Sequence, residues 1–261
     1  MQPSDTPAAS AQASTPTVNA SPAGSLPTLA LVTPSLPPAV AQPPYSTVHI
    51  VVPGPGSRLT SPVAVEANAI PGADGAVTIQ IVGEDGRVMA TNIQYFATPK
   101  GQRVGFVTSL GFQLAGVAEA ARLQVSVRDA RGRLQALSSA DLLLLASGED
   151  VISPEPDPHE HFILVSPAPN GVGKKGELRL AGYISPFNGK PVLFELLGNQ
   201  GEALASASFP PQNESAAYQP FTGILRYSIP GPTWALLVVR QPDARIPGDA
   251  ALTSQLVYLN P

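Results

Sequence analysis

The chain has 261 residues, a net charge of −4, 30 prolines, no cysteine and only 13% charged side chains. That length exceeds one typical domain and suits two of about 100 residues plus extra segments, each large enough to bury a core without staples. The missing cysteine excludes disulfides and thiolate metal sites, and the even charge of both halves excludes the basic surplus that a nucleic-acid partner demands. Residues 46–148 carry eight bases against seven acids and residues 159–261 carry seven of each. The excess sits between them, in Glu149, Asp150, Glu155 and Asp157.

Residues 1–44 are mostly Pro, Ala, Ser and Thr, with ten prolines and a single charge, Asp5. Such a stretch cannot bury enough apolar area to offset its ordering entropy, so it reads as a disordered tether. At ~3.1 Å per residue it would reach on the order of 100 Å when stretched, the length of a useful stalk. The opening MQPSDTPAAS lacks the basic start and apolar centre of a signal peptide, and Leu29–Val32 is too short to supply one. No apolar run approaches the roughly 18–20 residues of a membrane span. The expectation is a chain without a transmembrane span, any signal or lipid anchor lying upstream.

The first folded unit is expected at residues 45–146. His49–Val52 reads as an opening strand broken by Pro53-Gly54-Pro55-Gly56, and Val63-Ala-Val65 alternates as a second. The organising stretch follows: Val77–Ala90, VTIQIVGEDGRVMA, in which Val77, Ile79 and Ile81 alternate with Thr78 and Gln80. This period of two turns one side inward, and Asp85-Gly86 is expected as the positive-φ pair of a tight hairpin. Val104–Phe112 sets Phe106, Leu110 and Phe112 on one parity. Leu114–Arg122, LAGVAEAAR, is the one helix-like piece. Leu123-Gln-Val125-Ser-Val127 alternates again, and Leu142–Leu145 closes as a buried strand.

Residues 147–158, SGEDVISPEPDP, form an acidic linker stiffened by proline. The unit expected at residues 159–261 then repeats the first. Val192–Ala205, VLFELLGNQGEALA, lies on the organising hairpin with Val192, Phe194 and Leu196 over Val77, Ile79 and Ile81. Leu178 and Leu180 fall on Val63 and Val65; Phe221, Leu225 and Tyr227 fall on Phe106, Leu110 and Phe112. Trp234–Val239 matches the Leu123 strand, and Leu256–Leu259 is set on Leu142–Leu145. A repeat this long is a duplicated domain, not a solenoid with its period of about 20–50 residues. Some seven short strands per copy, with turns between them, predict two tandem β-sandwiches in an all-β chain.

Both halves resemble the immunoglobulin-like domain of bacterial spore-germination and other cell-surface proteins. That pattern has an opening P-x-x-G-x-x-x-x-x-P-x-x-V segment, a V-x-V-x-x-x-D-x-x-G-x-x-L-A hairpin and a later P-F-x-x-x-L-x-Y/F strand. Pro53–Val65, Val77–Ala90 and Pro220–Tyr227 carry it here. The first copy lacks the Pro-Phe pair, and Asn199 stands where an acid is usual. The resemblance covers about four-fifths of the chain. It implies an extracytoplasmic adhesive or scaffolding module without catalytic residues, tethered behind a signal or lipid anchor.

No residue set announces catalysis, a cofactor or a metal. Asn170–Lys175, NGVGKK, mimics the end of a P-loop, but Ala168 replaces the required glycine and Lys175 the hydroxyl that would reach Mg²⁺. It reads as a surface turn. His159 and His161, with Asp157 and Glu155 upstream, share a face in an extended segment, yet two ligands make no zinc site. An enzyme would need an inter-domain cleft lined by Asp157, His159, His161 and Arg240. Trp234, the one tryptophan, opens an apolar strand and is expected as a core plug; exposed, it would stack on a sugar or a partner. Tyr218 and Tyr227 are the neighbours that would join such a contact surface. Asn19 and Asn213 begin glycosylation patterns that matter only in a eukaryotic secretory route. The sequence therefore predicts a non-enzymatic module binding a protein or cell-wall polysaccharide, with no nucleic acid and no cofactor; its oligomeric state is not readable.

Overall fold

The computed structural model describes residues 42–153, 157–212 and 218–261. The expected tether up to residue 41, the two asparagine patterns and Glu155 fall outside these residues. Eight strands form the first half: β1 (Val48–Val52), β2 (Ser57–Leu59), β3 (Val63–Ala69), β4 (Ala76–Gly83), β5 (Val88–Tyr95), β6 (Val104–Leu110), β7 (Ala118–Arg128) and β8 (Leu134–Leu145). Eight more form the second: β9 (Phe162–Ser166), β10 (Val172–Gly173), β11 (Glu177–Ile184), β12 (Val192–Leu197), β13 (Ala203–Phe209), β14 (Gln219–Arg226), β15 (Thr233–Pro242) and β16 (Asp249–Leu259).

The two halves share one strand order. β1-β3-β6 is matched by β9-β11-β14, and β5-β4-β7-β8 by β13-β12-β15-β16. In each, the opening strand is split. β1 or β9 stays in the small sheet, while β2 or β10 crosses to run parallel to the last strand, β8 or β16. Pro53 and Pro167 stand at this crossing, where proline's missing N–H removes a ladder bond from the sheet being left. A three-stranded sheet packed on a larger one in this order is an immunoglobulin-like sandwich. The chain is all-β: two such sandwiches in tandem, with no helix among the described residues.

Alternation placed the cores. Val63, Val65, Ile79, Ile81, Leu123 and Val125 are fully buried in the first, and Leu178, Leu180, Phe194, Leu196, Phe221 and Leu225 in the second. Three expectations need correction. Ala118–Arg122 is the start of β7, not a helix. Its alanines favour helix locally, but β8 and, from Ala121, β4 pair with it on both sides, and a double ladder outweighs a few tenths of a kcal/mol per residue. The closing strand is shifted by one place: Val257 and Leu259 are buried while Leu256 is exposed, so Val257 and Leu259 lie on Leu142 and Leu144.

The third concerns the hairpin turn. Gly86 N–H donates to Gly83 O at 2.9 Å and Gly83 N–H to Arg87 O at 2.9 Å, with a bulge in the ladder beside them. Only Gly86, at φ 84°, is left-handed, and Asp85 is not. Instead Asp85 accepts from the Arg87 N–H. The turn is therefore a three-residue loop closed by a glycine bulge. Gly201, φ 82°, repeats it. A Cβ on Gly201 would meet no atom within 4 Å, so Gly201→Ala costs about 1–2 kcal/mol through backbone conformation alone. A lowered urea midpoint at unchanged m-value is the expected reading; an unchanged midpoint would contradict it.

Candidate functional site at the meeting of the two sandwiches

The larger sheets of the two halves are one sheet of ten strands, because β8 and β16 pair edge to edge and antiparallel. Leu137 faces Leu252 and Ala136 faces Thr253. Leu137 and Leu252 are 115 positions apart, the offset that aligns Leu142 with Val257, so equivalent strands meet at equivalent residues. The internal duplication has become a pseudo-twofold assembly. Ala136 and Ala251, neighbours of the central leucines, point into the two cores. Both small sheets therefore lie on one side of the continuous sheet, and its other side is an open face built by both halves.

On the covered side, the groove between the small sheets encloses a cavity of about 240 Å³. Val48 and His49 of β1, Phe162 of β9, and Ala136 and Ala251 are among its walls. The chain straps it across. Ser46 N–H donates to Pro158 O, Glu160 N–H to Pro44 O, and Thr47 N–H to the Glu160 carboxylate at 2.6 Å. Tyr45 stacks on His159 with centroids 5.2 Å apart. The end of the linker and the start of the first sandwich thus form a short pair over the groove.

All three histidines line this cavity. His161 packs its ring 3.8 Å from that of Phe187 and bonds Ser185 O through Nδ1 at 2.8 Å; burial pulls its pKa below the ordinary value, which favours neutral imidazole. Burial raises the Glu160 carboxyl, against the Thr47 hydrogen bonds and the Arg103 charge. Asp157 sits 2.5 Å from His159 Nδ1; burial pushes it up, but the bonds from His159 outweigh this and hold it low. Tyr218, its hydroxyl donating to Glu160 O at 2.9 Å, is pushed up to about 12 by burial and by the charges of Asp157 and Glu160. These groups hold one another in place. Ser46 and Ser139 donate their hydroxyls to Pro158 O and Ala250 O, so neither is aimed at an imidazole as a nucleophile would be.

The set expected to line an inter-domain cleft is split. Asp157, His159 and His161 meet at the groove, but Arg240 projects on the open face, bound to Glu195 and Asp249 at 2.9 Å. Among the described residues no three His, Asp or Glu side chains are grouped to hold a metal. Asn170–Lys175 passes through β10 into the turn before β11, and no helix follows.

The open face carries the apolar contact between the halves. Leu236 and Val238 of β15 and Leu252 of β16 bury against Leu137, flanked by Leu134 and Leu197. Beside them Arg122 of β7 is capped by the β15–β16 loop. Its Nη1 lies 2.9 Å from the Asp243 carboxylate, and it donates to Ile246 O and Pro247 O. The two side chains are only 2% and 5% exposed. Arg245 of the same loop pairs with Asp141 on β8. Sequence reasoning missed Arg122 and Asp243, which sit in no motif. The available signal was Ala235–Val239, ALLVV, apolar on both parities and hence buried on both sides.

Trp234 corrects its expectation. It shares the parity of Leu236, away from the core, and is 40% exposed, meeting Tyr258 edge-on at 5.1 Å. Tyr227 replaces Phe112 in the core and donates its hydroxyl to Asn260 O at 2.7 Å. Tyr218 stands at the strap. The three aromatics are not brought together; the aromatic beside Trp234 is Tyr258, found by strand register rather than by sequence proximity.

No family model matches the chain, and no curated protein does. Among solved structures it is similar to a Salmonella alpha-2-macroglobulin mutant, at 16% identity and TM-score 0.27, over 88% of this chain and 16% of that one. It is similar to the Ruminococcus gnavus beta-glucuronidase at 9% identity and TM-score 0.23, over 78% and 36%. Collagen adhesin from S. aureus matches at 6% identity and TM-score 0.19, over 83% and 92%. The chain thus spans about a sixth of the macroglobulin and a third of the glucuronidase. The immunoglobulin-like assignment rests on strand order.

Proposed function

We propose that this chain is a non-enzymatic extracytoplasmic scaffold or adhesion module, in which a tether at residues 1–44 displays sandwiches at 45–146 and 159–261 joined by the linker at 147–158. The observation that supports it is the continuous ten-stranded sheet. Two sandwiches joined by β8–β16 pairing and the capped Arg122 present one continuous open face. A pre-formed face loses less entropy on docking than one that must be ordered, which is what a binding module needs. The partner is a protein or a component of the cell envelope. The carbohydrate reading keeps a specific support in the exposed Trp234, braced edge-on by Tyr258, since an aromatic ring offers its face to the apolar face of a sugar.

Sedimentation of the purified chain with isolated bacterial envelopes tests both. Protein recognition predicts co-sedimentation that protease treatment of the envelopes abolishes and Trp234→Ala leaves intact. Carbohydrate recognition predicts the opposite pair of results, with affinity reduced at least about tenfold by Trp234→Ala, the loss of about 1.4 kcal/mol. Absence of binding to either preparation would overturn the module reading.

A further inference from the structure

Among the described residues, the main path of the ten-stranded sheet ends on β5 and on β13, while β2 and β10, each paired with one strand only, are three and two residues long. Natural sheets guard such edges with charges, prolines or shortness. β5 reads VMATNIQY, eight residues with no charge and no proline, and its ladder with β4 is regular from Ala90 to Tyr95. Ile93 and Tyr95 stand on its open face, 47% and 72% exposed. β13 also lacks charge, but it is shorter and turns only Ser206 and Ser208 outward along its middle. The apolar, unguarded edge is β5.

The chain already shows how it closes a free edge. β8 meets β16 by antiparallel pairing of equivalent strands about a twofold axis at Leu137 and Leu252. We propose that β5 pairs with β5 of a second copy in the same way, antiparallel about a true twofold axis, extending the sheet through a homodimer. Directly opposed residues of an antiparallel pair share a face. Centring the pair on Ile93 therefore sets Ile93 against Ile93 and Tyr95 against Thr91, an aromatic–β-branched contact on each side. No like charges meet along the strand. Charge at its ends agrees in sum: in the turn before β5 Arg87 is bound by Asp85 and Glu119, which leaves exposed Glu84 in excess, and exposed Lys100 and Arg103 lie in the loop after it. Antiparallel pairing brings the Glu84 end of one copy to the Lys100 end of the other, twice over, and such complementarity fixes register. This dimer goes beyond the module reading, and neither depends on the other.

Sedimentation equilibrium of the full chain from micromolar to millimolar concentration tests it. The expected result is a reversible monomer–dimer equilibrium. Ile93→Lys with Tyr95→Lys raises the dissociation constant at least tenfold at an unchanged melting temperature, because both side chains are exposed. Should that double variant lose its wild-type melt, Thr91→Lys is measured in its place. Lys100→Glu weakens the dimer, and adding Glu84→Lys restores it. A wild-type chain that stays monomeric, a β5 variant that associates as before, dissociation by Ser206→Lys on β13 instead, or growth past the dimer would each overturn the proposal.

Discussion

Phe194→Asp abolishes the folding transition of the second sandwich, and Ile79→Asp does the same to the first. Both side chains are fully enclosed in their cores, on equivalent places of β12 and β4. Each substitution forfeits roughly 1.5–3 kcal/mol of apolar burial. It also leaves a carboxylate that must be buried unpaired or protonated, at a further cost of several kcal/mol. Phe194 loses more, because its ring meets Phe221 at 4.9 Å and Phe221 meets Phe209 in turn. Against a total of about 5–15 kcal/mol for an ordinary domain, neither half has the reserve. Circular dichroism on melting, with Trp234 fluorescence reporting the second half, separates the outcomes. Phe194→Asp removes the fluorescence transition, whereas Ile79→Asp retains one shifted to lower temperature by the loss of its β8 neighbour. Wild-type melting curves for both variants would refute the inward assignment of these strands.

That the inward residues were legible follows from what alternation encodes. A strand with one buried face writes its parity into the sequence, and Ile79, Phe194, Val63 and Leu178 could be placed without coordinates. Parity is silent about what covers the second face. Leu236 and Val238 look like core, and Trp234, on the same parity, was expected there too. Yet the first two are buried by Leu137 of the other half and the third is left half in solvent. The edge pairing leaves no mark that sets it apart, since the uncharged, proline-free stretches at residues 135–140 and 250–256 read like any strand with neighbours on both sides. For the same reason Arg122 was invisible: the segment ending at it is rich in alanine and reads as helix until pairing on both sides is known. The gathering of three histidines at the strap was half legible, because His49 and His161 both lie at the starts of the matching strands β1 and β9, though two places out of register, but the sequence could not bring those starts together.

Arg122→Ala weakens the whole molecule by about 3–5 kcal/mol, the cost of breaking a buried ion pair by removing one partner. The cation now neutralises Asp243 and donates to two carbonyls of the β15–β16 loop. Its removal strands Oδ2 of the carboxylate and the Ile246 and Pro247 oxygens in a site closed to water. Alanine also frees the loop that bolts the second sandwich onto β7, so urea unfolding, expected as a single transition in the parent, separates into two. A loss under about 1 kcal/mol would mean that the pair behaves as a surface one. Arg122→Met with Asp243→Asn recovers the part of the loss that comes from the unpaired charge, while the Ile246 and Pro247 oxygens still lack the Arg122 donor. Asparagine keeps the acceptor that serves the Arg245 and Ile246 N–H groups, while the buried Arg122 Nε, which has no hydrogen-bond partner, no longer has to be desolvated. Acid provides the second readout. Burial raises the Asp243 carboxyl, but the N–H groups of Arg245 and Ile246 and the Arg122 guanidinium outweigh it and hold its pKa below the ordinary 3.8. A depressed folded pKa contributes stability that is complete above the unfolded value and drains away as pH falls through the folded one. Below about pH 4 the parent should therefore lose stability more steeply than Arg122→Met/Asp243→Asn, which lacks the titrating group; parallel acid profiles would place the stabilising charge elsewhere.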